Sequence, residues 1–267
     1  MSKVDKLETS RAGTQSIERA ITVLRYIAAY DVSGARLADV ARDLQLQRST
    51  AHRILGCLVN ERLVNIKQPD QRYILGSLTY ELGLRAARRN HLNETCRPSL
   101  ERIALWTGDV VFLSVRSGLE TVCVDRAEGD YPIKAYTRQL GDRRPIGFGA
   151  VGIAMLAPLP DDEVCRILEA GAETLMAYNG ETLEHSWRRI FRARERGFSM
   201  NIRKELKLRA IALPINGVSG KPEAAISVCA IAARLDEKRA AEIAKMVTSE
   251  IQIIEDQLLH SIQTKNQ

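Results

Sequence analysis

The sequence lacks the features that mark several large classes of protein. Its cysteines are scattered without a CxxC pair, which excludes a disulfide framework or a zinc site: Cys57, Cys96, Cys123, Cys165 and Cys229. No apolar run approaches the roughly 18 residues of a membrane-spanning helix. The polar start, MSKVDKLETSRAGTQ, has no signal-peptide pattern. We therefore expect a cytoplasmic protein with reduced thiols, no membrane association and a disordered tail over residues 1–15.

Signatures of catalysis are missing as well. The histidines are isolated and show no metal-ligand spacing such as HxxxH: His52, His91, His185 and His260. No GxSxG elbow is present. Asp125 and the pair Asp161-Asp162 have the positions of a strand end and a helix N-terminus. We expect no catalytic residue, no metal and no cofactor. An enzyme whose N-terminal domain only mediates assembly remains the competing class.

The distribution of charge is informative. The chain has 267 residues, 45% of them hydrophobic, which is enough for one large or two medium domains. Its net charge is +6, and basic residues clearly exceed acids between Arg36 and Arg89. A basic N-terminal third on a nearly neutral body fits a nucleic-acid-binding module attached to another domain.

The stretch from Leu37 to Asn60 predicts a helix-turn-helix. Apolar residues at three- and four-residue steps mark two short helical faces, one with Leu37, Val40, Ala41 and Leu44, the other with Ala51, Ile54, Leu55 and Leu58. The second helix exposes groups that contact phosphates and base edges, and we predict that they bind DNA: Gln47, Arg48, Ser49, Thr50, His52 and Arg53. The alternative is a solvated polar face with a Ser/Thr N-cap.

The flanking segments complete a winged helix. A helix over Ser16–Tyr30, with Ser16 as its N-cap, would pack through an apolar face formed by Ile17, Ala20, Ile21, Leu24, Ile27 and Ala28. Two β-prone segments, Leu63–Ile66 and Arg72–Gly76, surround a Pro-Asp turn and predict a hairpin. Lys67 and Arg72 are candidates for DNA contact from this wing. Alternatively, the hairpin only closes the small core.

The rest of the chain predicts an α+β domain with an antiparallel sheet. Residues 77–90 form an amphipathic helix with a basic end, and a further helix ends at Thr107-Gly108. Period-two and continuous apolar patterns then predict strands near 110–118, 120–129, 133–141, 208–215 and 224–232. Helices are predicted near 146–157, 161–170, 183–196 and 237–259. No internal repeat or low-complexity segment is present.

The whole chain resembles the IclR family of bacterial transcription regulators. The resemblance is carried in order by SIERAITVLRYIA, LADVARDLQLQRSTAHRIL, RYILG, TGDVVFLSVRSG, QLGDRRPIGFGAVGIAMLA, RERGF and GVSGKPEAAISV. It implies a winged helix-turn-helix (16–76), a linker helix (77–92), a GAF-like effector-binding domain (93–260) and a tail (261–267). It also implies homodimers or dimers of dimers on palindromic double-stranded DNA operators, controlled by a small organic acid that favours one dimer geometry.

Some positions depart from the family pattern. Gln45 stands in a turn where the family often has Gly, and Gln in a left-handed conformation would cost about 1 kcal/mol. Gln47 replaces a common Pro. Gly152-Ile153-Ala154 replaces a frequent Gly-Lys-Ala, Asn201 or its neighbour replaces an acid, and Ala210 replaces a frequent Cys. These changes predict a less polar pocket, and an effector with a carboxylate and an apolar body, of which an aromatic ring is one form.

Residues Gly147–Gly152 match G-x-G-x-x-G, but they follow a charged, Pro-containing loop rather than a buried parallel strand. We therefore interpret them as a place for the effector's carboxylate, at the amides of Ala150 and Val151. The alternative is close packing of the helix on the sheet. Ser227 and Cys229 alternate on one strand face and could line the same pocket, although Cys229 alone would be a core thiol. The predicted site adds Phe148, Met155, Met200 and Asn201.

Overall fold

A computed structural model describes residues 14–30, 33–87 and 92–265. The chain divides between Asn90 and His91 into two compact units. Most of the predicted N-terminal tail, the middle of the turn after the first helix and the end of the helix at residues 88–90 lie outside the described residues. Among the helices that are described, none combines the length and the apolar character needed to cross a membrane.

The first unit is a winged helix-turn-helix. Its elements are α1 (Gln15–Ala28), α2 (Leu37–Asp43), α3 (Arg48–Asn60), β1 (Val64–Lys67), β2 (Arg72–Leu75) and α4 (Ser77–Ala87). β1 and β2 pair antiparallel, and Ala35 forms an antiparallel bridge to Tyr73. The predicted inner faces of α2 and α3 are confirmed, because one cluster buries Val40, Ala41, Ala51, Leu55 and Leu58.

The turn between α2 and α3 closes as a Schellman motif. The amide of Leu46 donates to the carbonyl of Ala41 at 2.8 Å, and the amide of Gln45 donates to the carbonyl of Arg42 at 3.1 Å. This pattern requires a left-handed residue after the helix, and Gln45 occupies it with φ 53°. Gln45 therefore occupies a position that a glycine would adopt without strain.

The prediction for α1 was partly wrong. The helix begins at Gln15 with Thr14 as its N-cap, so Ser16 lies inside the helix. Val23 and Ile27 are buried, whereas Ile17 and Ile21 are 59% and 46% exposed. The helix carries apolar residues on two sides, and periodicity alone does not tell which side its own chain covers.

The second unit is built on one antiparallel sheet. Its helices are α5 (Leu92–Thr107), α6 (Gly149–Leu156), α7 (Asp161–Ala170), α8 (Ala172–Asn179), α9 (Leu183–Arg196) and α10 (Glu237–Lys265). Its strands are β3 (Val110–Ser117), β4 (Glu120–Glu128), β5 (Arg143–Pro145), β6 (Ser199–Arg203), β7 (Leu208–Asn216) and β8 (Pro222–Ile231). Within the described residues the strand order is β5-β4-β3-β8-β7-β6. The predicted α+β class with an antiparallel sheet is confirmed.

The two faces of this sheet have different partners. Leu113, Ile226 and Ile211 point to one face and share a buried cluster with Ile103 of α5 and Ile243 of α10. Since side chains alternate along each strand, Ser227 and Cys229 point to the opposite face. That face packs against α6 and against the loop between β4 and β5.

Three further expectations need correction. The segment 133–141 is an irregular loop instead of a strand, because its side chains bond back to β4 and the neighbouring turn: Tyr136 donates to Glu128 at 2.7 Å, and Lys134 donates to the carbonyl of Gly129. The sequence interpretation missed α8, β5 and β6, and it assigned the residues of β5 to a loop. α10 runs to Lys265, so the predicted tail at 261–267 is helical over most of its length.

Candidate functional site

The outer face of α3 is an exposed polar surface on a fixed helix. Ala51, Leu55 and Leu58 anchor the inner face in the core. On the outer face Arg48, Ser49, His52 and Arg53 are exposed, and Thr50 is half-buried. Within the described part of the chain, the side chains of Arg48, His52 and Arg53 have no hydrogen-bond or ion-pair partner. Gln47 is the N-cap and makes no capping bond with its side chain, so no Ser/Thr cap exists and the first amides of α3 stay available.

Side-chain hydrogen bonds hold α1 against α2 behind this surface. The hydroxyl of Tyr26 donates to Oδ2 of Asp43 at 2.6 Å and lies 2.7 Å from the hydroxyl of Tyr30. Nε of Arg42 also donates to Asp43, at 2.7 Å. Arg42, and after it Tyr26, lower the pKa of the Asp43 carboxyl. These contacts fix the position of the helix-turn-helix independently of the outer face.

The wing places its two candidate cations opposite each other. Lys67 and Arg72 are partners in the β1–β2 register, and the side chain of Lys67 is exposed. Nη1 of Arg72 donates to the carbonyl of Gly34 at 3.1 Å. Arg72 therefore also supports the hairpin, as the structural alternative expected.

The second unit contains a cavity on the α6 face of the sheet. Six of the residues predicted to bind an effector line it together: Phe148, Ala150, Val151, Asn201, Ser227 and Cys229. Asn201 pairs with Ala210, and Ala210 pairs with Cys229, so these positions form a row across β6, β7 and β8. The void, together with the open solvent at its mouth, is about 450 Å³.

Two predicted wall residues do not reach this cavity. Met155 has no exposed surface and belongs to the core between α6 and its neighbouring helices. Met200 precedes Asn201 on β6 and therefore points to the other face of the sheet, where it packs against the α5–α10 cluster. The prediction that both form the apolar wall was wrong.

Sequence reasoning missed the most polar part of the lining. Arg138, Arg144, Arg203 and Arg209 line the same cavity, so the expectation of a less polar pocket was wrong. These arginines come from the β4–β5 loop, β5, β6 and β7, and no local motif links them. The basic run RKELKLR, which follows Asn201, could have indicated Arg203 but not Arg138 or Arg144.

The glycines of the G-x-G-x-x-G match serve packing and turning. A Cβ on Gly152 would lie 1.9 Å from the carbonyl oxygen of Ile146, and one on Gly147 would lie 2.8 Å from Leu168 and Leu175. Gly149 has φ 74° where α6 begins. β5, which precedes the match, is a short strand antiparallel to β4. A dinucleotide fingerprint requires a parallel strand in this place, so close packing accounts for the pattern.

Over residues 14–30, 33–87 and 92–265, no group of three or more histidine, cysteine or acidic side chains could hold a metal ion. The architecture is a winged helix-turn-helix followed by an antiparallel α+β domain with an internal cavity. This combination is typical of a class of DNA-binding proteins that carry a second domain.

Comparison with known families identifies the group. Residues 16–65 match the IclR helix-turn-helix domain, and residues 84–254 match the family described as bacterial transcriptional regulator IclR C-terminal. The second match alone covers more than half of the chain. The chain belongs to the IclR family of bacterial transcriptional regulators.

Individual relatives and solved structures agree with this assignment. The chain is 27% identical over 233 residues to the HTH-type transcriptional repressor AllR of Salmonella typhi, covering 86% of this chain and 85% of AllR. It is also 27% identical over 233 residues to the regulator BhcR of Paracoccus denitrificans, covering 85% and 81%. An IclR regulator from Alicyclobacillus acidocaldarius has the same fold, with a TM-score of 0.74 at 23% identity over 91% of this chain and 98% of that one. An IclR homolog from Microbacterium hydrocarbonoxydans complexed with 4-hydroxybenzoate has a TM-score of 0.71 at 21% identity over 92% and 99%.

Proposed function

We propose that this regulator binds a double-stranded DNA operator through α3 and that a small organic acid in the cavity of the second unit modulates this binding. The observation that carries the proposal is the exposed outer face of α3, whose cations have no partner among the described residues. A helix held by its inner face and presenting free cations outward is suited to enter a major groove.

Each side chain of this face has a proposed role. Arg48 and Arg53 would contact bases or phosphates, because a guanidinium can bond guanine or a phosphate with two donors. Ser49 and Thr50 would anchor phosphates near the free amides of α3, with Gln47 and His52 beside them. From the wing, Lys67 and the part of Arg72 not used by Gly34 would contact the adjacent backbone.

The effector would bind where α6 begins. The amides of Ala150 and Val151 offer donors for a carboxylate, and Asn201, Ser227 and Cys229 lie on the facing strands. The homolog complexed with 4-hydroxybenzoate supports an organic acid as ligand in this fold. Phe148 would contribute the apolar contact.

A homodimer, or a dimer of dimers, is part of the proposal. In the first unit, Ile17 and Ile21 of α1 are about half exposed, and Tyr80, Leu82 and Leu84 of α4 are 69%, 53% and 51% exposed. Large apolar side chains exposed on two helices are typical of an interface. A two-fold dimer would place two α3 helices in successive major grooves about 34 Å apart.

The test is binding of the purified chain to its own upstream intergenic DNA, at fixed salt, with and without a panel of organic acids. We expect specific binding with a steep salt dependence, changed by at least one acid. Weak, sequence-independent binding that no acid changes would contradict the proposal. A chain that turned over a panel acid and bound DNA without specificity would instead favour the enzyme, with the first unit serving assembly.

A further inference from the structure

Three arginine side chains converge on the cavity without a carboxylate to balance them. Arg138, Arg144 and Arg203 line it, and the lining includes no aspartate or glutamate. Arg209 also lines it, but it precedes Ala210 on β7 and therefore directs its side chain to the other face of the sheet. Over the described residues, none of the three forms an ion pair. Arginines just outside the cavity behave differently: Arg143 pairs with Glu120 at 2.7 Å, and Arg189 pairs with Glu181 at 3.1 Å. The arginines of the lining therefore lack the counter-charge that these two neighbours have.

Arg138 is the most deeply buried of the three cations. It is 5% exposed, and its guanidinium donates to Oγ of Ser114 at 2.8 Å and to Oγ1 of Thr121 at 2.9 Å. Hydroxyls fix its orientation but carry no negative charge. Burial, and after it the charge of Arg144, lower the pKa of Arg138 to about 10, so the group is still cationic at neutral pH. A counter-ion would stabilise a buried charge of this kind further.

The other two arginines keep donors free for a ligand. Nη2 of Arg144 donates to the carbonyl of Thr137. Arg203 has no hydrogen-bond or ion-pair partner in the described part of the chain. The lining offers no acidic side chain to pair with either cation.

The neutral groups of the lining also favour an anion. Oδ1 of Asn201 accepts a hydrogen bond from Arg189 at 2.8 Å, which leaves its amide nitrogen as a donor. Burial raises the pKa of the Cys229 thiol, which is therefore uncharged at neutral pH. Oγ1 of Thr137 lies 3.3 Å from its sulfur. The lining is thus positive and rich in donors.

We infer that the cavity accepts a compact dianion, a small molecule with two negative charges held by the arginines. This inference rests on the proposed effector site and narrows its ligand class. One carboxylate would leave most of the cationic charge unbalanced, whereas two negative charges can each be balanced by an arginine fork. The ligand must be compact, because the void, together with the open solvent at its mouth, is only about 450 Å³. The two charges can come from two carboxylates or from one phosphate monoester.

The test compares matched acids by calorimetry on the full chain at constant ionic strength. Malonate, succinate and glutarate are each compared with the monocarboxylate of the same carbon number, and glycerol phosphate represents the phosphate esters. We expect at least one dianion to bind roughly 10-fold or more tightly than its matched monoanion. Binding of a dicarboxylate or of glycerol phosphate then tells which kind of anionic group supplies the two charges. Equal affinities within every pair, or no binding by any dianion, would overturn the inference.

Variants separate a site from general attraction. Arg203→Gln should weaken binding of that dianion roughly 10-fold. The variant should fold normally, because the side chain of Arg203 has no partner among the described residues. Arg138→Met should weaken binding at least as much, provided that it folds. Lys204→Gln removes the same charge from the adjacent position, which does not line the cavity, and should leave affinity nearly unchanged. An equal loss in Lys204→Gln and Arg203→Gln would also overturn the inference.

Operator binding measured in parallel distinguishes this inference from the proposed function. If a monocarboxylate alone changes operator affinity, effector control stands and the dianion class is wrong. If a dianion binds through Arg203 but no acid changes operator affinity, the ligand class stands and effector control is wrong. A loss of specific DNA binding affects only the proposed function.

Discussion

The two units treat positive charge in opposite ways. On α3, Arg48 and Arg53 are exposed to water, and an exposed guanidinium costs the folded state little. In the cavity of the second unit, Arg138 is 5% exposed and has only hydroxyl partners. The comparison separates cations that water solvates from a buried cation that has no counter-charge among the described residues.

The second unit also contains a cluster in which a buried carboxylate is paired with two arginines. Asp109, with a side chain 2% exposed, accepts from Nε of Arg234 at 3.2 Å and from Nη2 of Arg239 at 3.1 Å. Both arginines also donate to the carbonyl of Thr107, and the guanidinium of Arg234 lies 3.6 Å from the ring centroid of Tyr131. This cluster differs from the cavity by the presence of a carboxylate.

The largest effect is expected when that carboxylate is neutralised. Asp109→Asn would leave two arginines without a counter-charge, as in the cavity, and should lower the free energy of unfolding by about 3 to 5 kcal/mol. Urea denaturation measures this loss. Asp162→Asn is the control: Asp162 pairs with Arg166 but is 74% exposed, so its loss should stay below about 1 kcal/mol. Equal losses in the two variants would break the contrast between buried and solvated pairs.

A second prediction tests the solvent-exposed arginines of α3. Arg53→Ala should lower operator affinity roughly 10- to 100-fold, because a direct contact of this kind contributes about 1 to 3 kcal/mol. The midpoint of unfolding should not change, since the side chain has no partner within the described residues. Arg25→Ala, an exposed arginine on α1, removes the same charge elsewhere in the unit and should have a much smaller effect. Unchanged operator affinity of Arg53→Ala at fixed salt would contradict the assignment.

The sequence could predict the features that depend on local periodicity, but not those that depend on contacts between distant parts of the chain. The faces of α2 and α3 follow from local periodicity, and so does the exposed position of Arg48 and Arg53. The cavity arginines are brought together by sheet register, which no local pattern contains. The loop at 133–141 looked like a strand because it alternates apolar and polar residues, but burial of the Arg138 charge and bonds to β4 determine its path. On α1, two apolar stripes made the buried side ambiguous.

The first unit has a strained backbone conformation at one residue of the turn between α2 and α3. Gln45 has φ 53°, a left-handed conformation that disfavours a residue with a Cβ atom. Gln45→Gly should raise the free energy of unfolding by about 1 kcal/mol, measured by urea denaturation. Gln45→Ala keeps the Cβ atom and should give no such gain. If both variants gained equally, the side chain of Gln45 and not its backbone conformation would carry the cost.

The smallest effect concerns a partly exposed pair in the second unit. Glu250 is buried and binds Arg102 through two hydrogen bonds, of 2.9 Å and 2.6 Å, while the side chain of Arg102 is 48% exposed. Arg102, followed by Ser99 among the hydrogen-bond donors, lowers the pKa of Glu250 from the ordinary value of 4.5. A lowered carboxyl pKa stabilises the fold above the ordinary pKa, and this contribution is lost as the pH falls through the folded-state pKa.

Glu250→Gln should therefore be less stable than the natural chain at about pH 6 by less than about 1 kcal/mol, and the difference should shrink toward about pH 3. Arg102→Gln should give a similar loss with the same pH trend, and the double variant should add little to either. If the stability losses of the two single variants were additive, or if the difference from the natural chain grew on acidification, an interaction between Arg102 and Glu250 would be contradicted. Arg102 keeps half of its surface in water, so its burial lies between that of Arg138 and that of the exposed arginines of α3. A small loss of stability would show that the contribution of a counter-charge depends on how deeply the cation is buried.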